Sequence, residues 1–250
     1  MNFTIISNNI YVDNNYSINN VSSKLVHDLL KQVDLNFAQA LNIEPFSSRQ
    51  TFVTLSETQT PMCCTFMRGA HLIKLTAKES IGQLLFQFSH EYCHHLIDGN
   101  MSGDIYDLLW LEETICEVSS MYNLQTIYKI WSSSPNEEYN RQSYAFIIYL
   151  QIILENGEEE LFNTLSSKGL SGWIPEYLAR YKKKNRPMRN DVAVQIFPLF
   201  IENPHLWKII LHFGDMRRWN SLEELFQHLQ KKATPDYSDS LEKLRSLLLA

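Results

Sequence analysis

His90-Glu91-Tyr92-Cys93-His94 is the densest run of reactive side chains in the sequence. Two histidines four residues apart fall on one face of a helix, and two neutral imidazole nitrogens so placed can hold one Zn2+ at about 2.0–2.1 Å. Glu91, beside the first of them, can reach a water on the metal without binding the metal itself, which is where a general base must stand. In a chain of this composition an H-E-x-x-H pattern arises by chance roughly 2% of the time, so the motif asks for a third donor to corroborate it.

A catalytic zinc takes three protein ligands and keeps a fourth corner open. One known arrangement needs a Gly three residues after the second histidine and a ligand three further on; those positions are Ile97 and Asn100, and it fails. A glutamate on the next helix is the other common arrangement. Residues Asp107–Cys116 read DLLWLEETIC, and Glu113 follows His94 by 19 positions. Chance alone joins that glutamate to the histidine motif about 0.1% of the time. Glu112, one helical step from Glu113, is expected at the surface. A closed four-ligand site would need one more donor, for which Cys116 and Glu117 are nearby.

His90–His94 followed by Trp110-Leu111-Glu112-Glu113 resembles the zinc signature of gluzincin metallopeptidases (HExxH-x18-E), of the aminopeptidase and thermolysin-like types, over roughly residues 70–155. The resemblance implies one Zn2+ per chain held by His90, His94 and Glu113, with Glu91 as general base. It gives Glu117, four residues past the ligand glutamate, the part of a carboxylate hydrogen-bonded to a zinc-binding histidine. It also implies a tyrosine stabilising the oxyanion from the start of a later helix, for which Tyr139 is the candidate and Tyr144 the alternative. Finally, it implies that an edge strand before the zinc helix pairs with extended substrate. Residues 69–76 suit that place, with Gly69, Ala70 and His71 against the substrate. The Gly-x-Met-Glu-Asn motif that holds a substrate amine in the aminopeptidases is absent, which favours an endopeptidase.

These residues need elements to hold them. The 250-residue chain is 44% hydrophobic and 20% charged, ordinary values for a folded protein, with only eight Gly and eight Pro. Few breakers favour long helices. Strands are expected over Ile5–Val12, Gln50–Ser56, Met62–Met67 and His71–Thr76. A helix with Val21, Leu25, Leu29, Val33 and Phe37 on one face should start at Asn19 or Asn20. Helices are expected over Ser80–Ile97, Ile105–Trp131 and Arg141–Leu154, then four to six shorter ones punctuated by Asn203-Pro204 and Thr234-Pro235. The pattern predicts an α+β fold: a small mixed N-terminal sheet with an edge strand above a zinc-binding helix pair, then a mainly helical C-terminal half. Residues 1–157 form the expected catalytic domain and 158–250 a helical subdomain. His95 is expected to be structural or exposed, and the basic run Arg180–Arg189 a solvated loop.

A formal charge of −6 argues against a general nucleic-acid binder. Neither a signal peptide nor an 18-residue apolar stretch is visible, and the four cysteines match no CxxC pattern, so reduced thiols and a cytoplasmic location are expected. The expected function is zinc-dependent hydrolysis of peptide bonds in a peptide or protein substrate. Two alternatives stand beside it: a peptidase cleaving one repressor or regulator, and a retired zinc-binding scaffold.

Overall fold

The computed structural model describes residues 2–42, 49–66, 69–97, 107–155, 187–214 and 216–249. Strands β1 (Phe3–Ser7) and β2 (Ile10–Asp13) pair antiparallel as a hairpin. The single strand expected over Ile5–Val12 is therefore broken at Asn8-Asn9, whose side chains favour turns. Helix α1 (Ser23–Leu41) starts later than expected. Ser22 caps it, its hydroxyl accepting the Leu25 N–H at 3.2 Å, while Asn20 takes a positive φ of 60° in the turn before. Leu25, Leu29, Val33 and Phe37 form its buried face.

Strands β3 (Thr51–Leu55), β4 (Met62–Thr65) and β5 (His71–Leu75) complete a mixed sheet in the order β1-β2-β3-β5-β4. β2, β3 and β5 run parallel; β1 and β4 lie antiparallel at the two edges. This corrects the edge strand expected at 69–76. β5 is paired on both sides, and the free edge belongs to β4. Gly69, at φ +79°, makes the turn that brings β5 back beside β4.

The helical body follows: α2 (Ile81–Ile97), α3 (Leu109–Ser132), α4 (Glu137–Glu155), α5 (Pro187–Glu202), a 3₁₀ helix (Pro204–His212), a short 3₁₀ turn (Met216–Arg218), α6 (Leu222–Lys232) and α7 (Ser238–Leu249). The fold is α+β, as the pattern predicts. α4 begins four residues before Arg141 because Asn136 caps it, its Oδ1 accepting the Glu138 N–H at 2.9 Å. The domain boundary expected at 157 and residues 180–186 of the basic run lie outside the described residues. On either side of that boundary, buried side chains from Ile10 to Leu248 form one continuous hydrophobic core. No helix among the described residues is long and apolar enough to cross a membrane.

Three devices seat α2. Its side-chain amide Gln87 Oε1 accepts the N–H groups of Thr76 and Ala77 at 2.9 and 3.0 Å, tying the helix to the end of β5. Gly82 lets α4 approach: a Cβ there would stand 2.7 Å from the Ala145 carbonyl oxygen. Small residues on α3 let it close on α2, where Ser119 and Ser120 donate to the carbonyls of Ser89 and Phe86 at 2.7 and 2.8 Å. That close packing sets the glutamates of α3 against the histidines of α2.

Candidate metal centre

His90 and His94 lie side by side on α2, their ring centroids 5.1 Å apart. Their Nε2 atoms face opposite oxygens of one carboxylate: His90 Nε2 is 3.4 Å from Glu113 Oε2, and His94 Nε2 is 3.6 Å from Glu113 Oε1. Two ligands on a tetrahedral zinc with bonds of 2.0–2.1 Å are about 3.3–3.4 Å apart. The Glu113 carboxylate thus stands near that spacing from each imidazole, through a different oxygen for each. Cys116, one turn further along α3, joins them: His90, His94 and Cys116 each offer a donor atom within 4.8 Å of the others. This group is a candidate metal-binding cluster.

The outer nitrogens of the two rings meet different surroundings. His94 Nδ1 lies 2.8 Å from Glu112 Oε1, a hydrogen bond that turns Nε2 towards the metal group. Burial alone would lower the His94 pKa, but the carboxylates of Glu112, Glu113 and Glu91 outweigh it and hold the pKa up at about 10. His90 Nδ1 is buried without a hydrogen-bond partner; its nearest acidic neighbour is Glu117 Oε2, 3.9 Å away. An orphaned buried nitrogen is costly. A metal on Nε2 would fix the proton on Nδ1 and give it a reason to close on Glu117. The donor set and this orphan fit a metal ion.

Glu112 is the correction of most consequence. It was expected at the surface but is 1% exposed and bonded to His94. α3 is a central helix, buried on nearly every side at this level, so one step of rotation does not lead to solvent. The available signal was spacing: Glu112 shares a face with Ile115 and Ser119, both buried.

Glu91 is 5% exposed and lies beneath the edge strand, accepting the Cys63 backbone N–H. Burial pushes its carboxyl pKa up and Glu113 adds to this; the two imidazoles and the Cys63 N–H pull the other way. Phe66 donates to the Ala70 carbonyl at 2.6 Å, so by alternation Cys64 and Met62 bond to β5, while Cys63 and Thr65 turn their main-chain groups to the open edge. Cys63 N–H is the outward group that meets Glu91. Burial, followed by the nearby Glu91, holds the Cys63 thiol pKa well above its ordinary range. Cys116 is held up likewise by burial and by contact with the Cys93 thiol.

The other expected residues lie elsewhere. Tyr139 stacks on Trp131 (centroids 4.5 Å apart) and donates its hydroxyl to Asp28 at 2.5 Å. Trp131 is at the far end of α3 from Glu113, about 27 Å away at 1.5 Å per residue. Tyr139 therefore does not face the metal group, and Tyr144 is 57% exposed on α4. Ala70 and His71 are buried rather than facing a substrate. Arg49 has only donors, so His71 Nε2, 2.9 Å from it, accepts. His71 Nδ1–H then donates to His95 Nδ1 at 2.8 Å, and His95 Nε2–H to Thr51 Oγ1 at 2.9 Å. This chain pins the back of α2 to β3 and β5. Burial, and Arg49 after it, lowers the His71 pKa to about 4. His95 is structural and buried.

Comparison with protein-family models, with curated proteins and with solved structures finds no match for this chain.

Proposed function

We propose that the protein is a zinc-dependent peptidase in which His90, His94 and Glu113 hold the metal and Glu91 is the general base. The observation that carries this reading is the convergence of both Nε2 atoms on the Glu113 carboxylate, with the buried Glu91 next to the first of them. When bound, zinc supplies Lewis acidity, acidifying water at its open corner and polarising a carbonyl. Glu91, its pKa raised by burial, takes the proton of the attacking water and passes it to the leaving amine. Glu112 holds His94 in the tautomer that presents Nε2, and Glu117, 3.9 Å from His90 Nδ1, would close on that ring once a metal fixed its proton there. The outward main-chain groups of β4 that Glu91 does not occupy, those of Thr65 and the Cys63 carbonyl, offer an extended chain an edge to pair with. That edge replaces Gly69, Ala70 and His71 as the substrate-facing backbone.

Cys116 favours a second reading, a closed site of His90, His94 and Cys116 that binds metal without catalysis. Glu113 stands 3.4 and 3.6 Å from the two imidazole Nε2 atoms, at ligand spacing, so the open site is preferred. Digestion of a peptide library by the zinc-loaded protein, read by mass spectrometry, tests the choice. The peptidase reading expects cleavage that Glu91→Gln abolishes while metal content is unchanged. Cleavage that survives Glu91→Gln, or none by the fully loaded wild type, overturns it.

A further inference from the structure

A cavity of about 480 Å3 opens beside the metal group, and apart from Glu117 none of its lining takes part in the chemistry proposed above. Gln83 and Phe86 line it from α2, Glu117 from α3, Tyr149 and Ile153 from α4, and Pro61 from the approach to β4. Gln83, Phe86 and His90 share one helix face, so the cavity begins one turn from the first histidine. Among the described lining residues Glu117 is the only charged group; no Lys, Arg or His answers it. Its carboxylate is 5% exposed, and its nearest basic neighbour, His90 Nδ1, stands at 3.9 Å, beyond hydrogen-bond reach. A buried carboxylate short of donors is costly. It has two oxygens and about four acceptor sites, so one imidazole N–H leaves capacity unused. Uncharged Gln59, Thr76, Gln87 and Asn190 share the walls with an apolar side formed by Pro61, Ile153 and the Phe86 and Tyr149 rings, which lie 5.5 Å apart. Such walls cover an alkyl stem and favour a cation above their faces.

We infer that this cavity receives the lysine or arginine side chain of a peptide substrate, with Glu117 as its counter-charge. The inference rests on the peptidase reading for its substrate but on the cavity for its chemistry. A chain on the open edge of β4, with its reacting bond at Glu91 under Cys63, passes Pro61 about two residues away, roughly 7 Å at strand rise. The cationic residue therefore falls at one fixed position within two residues of the cleaved bond. A charge-assisted hydrogen bond of about 1.5–3 kcal/mol corresponds to a preference of about 10- to 150-fold.

Two measurements test this. In a randomised peptide library cut by the zinc-loaded protein, Lys and Arg should exceed Leu and Glu about tenfold or more at that one position. Gln83→Lys, which sets a cation opposite Glu117, should abolish the preference there. Separately, the zinc-loaded Glu91→Gln protein should bind Nα-acetyl-lysine amide, by saturation-transfer NMR, about tenfold more tightly than Nα-acetyl-norleucine amide, and Gln83→Lys should erase the difference. Cleavage without a cationic preference, or with one that Gln83→Lys leaves intact, overturns the inference while leaving the peptidase reading standing. If no peptide is cut, the peptidase reading fails and NMR decides: lysine-selective binding lost in Gln83→Lys supports the cavity assignment, and equal binding of the two amides refutes it.

Discussion

Glu112→Gln separates the structural reading of this site from the sequence reading most sharply. Glutamine has nearly the same shape and volume, so the packing of α3 should survive. What changes is the partner of His94 Nδ1. The carboxylate 2.8 Å away accepts only, whereas an amide can turn either its oxygen or its NH2 to the ring. The tautomer that presents Nε2 is then no longer enforced, and the charge that raises ligand basicity is gone. Losing such an outer partner typically lowers metal affinity 10- to 100-fold, about 1.4–2.7 kcal/mol. Glu117→Gln serves as the internal comparison: its carboxylate stands 3.9 Å from His90 Nδ1, so its loss should cost less, below about tenfold. The assay is zinc competition against a chromophoric chelator at fixed pH, with melting of the metal-free variants recorded alongside. Wild-type affinity in Glu112→Gln, or a larger loss in Glu117→Gln, would refute the assignment of Glu112 as the partner that orients His94.

Other perturbations reach the elements that hold the site. Gly82→Ala drives a Cβ to 2.7 Å from a backbone carbonyl of α4 and should lower stability by about 1–3 kcal/mol, read as a drop in the urea midpoint; a neutral result would mean that α2 and α4 pack less closely than described. Tyr139→Phe keeps the stack on Trp131 and loses the bond to Asp28, so it should cost about 1 kcal/mol or less and leave peptide cleavage unchanged; a large fall in kcat would return Tyr139 to the chemistry. His71 is held neutral, its pKa depressed from 6.5 to about 4, so between those values the unfolded chain binds the extra proton. Stability should accordingly fall as the pH is lowered from about 6.5 towards 4, and His71→Gln should flatten that slope; an unchanged slope in the variant would dismiss the buried histidine chain as its source.

Much of this was legible before any coordinates. Helical periodicity located α2 and α3, and composition gave a small sheet before a helical body, because apolar spacing at 3.6 residues is a local property of the chain. That His90, His94 and Glu113 come together was readable from their types and intervals along two neighbouring helices. What escaped depends on long-range packing. Whether β4 or β5 holds the free edge is decided by strand order, which no spacing within either strand encodes. The role of Glu112 depends on α3 being enclosed, and the seat of His95 on a histidine 24 residues earlier in a neighbouring strand. Tyr139 was assigned by resemblance of order along the chain; its actual partners, Asp28 and Trp131, come from α1 and the far end of α3.

X-ray absorption at the zinc edge, on the chain loaded with one equivalent of zinc, bears most directly on three side chains from α2 and α3 sharing one open metal site. His90, His94 and Glu113 predict a first shell of nitrogen and oxygen only, at about 2.0–2.1 Å, with room for solvent. A sulfur scatterer at about 2.3 Å would place Cys116 on the metal and close the site, and failure to retain a stoichiometric ion would dissolve it altogether.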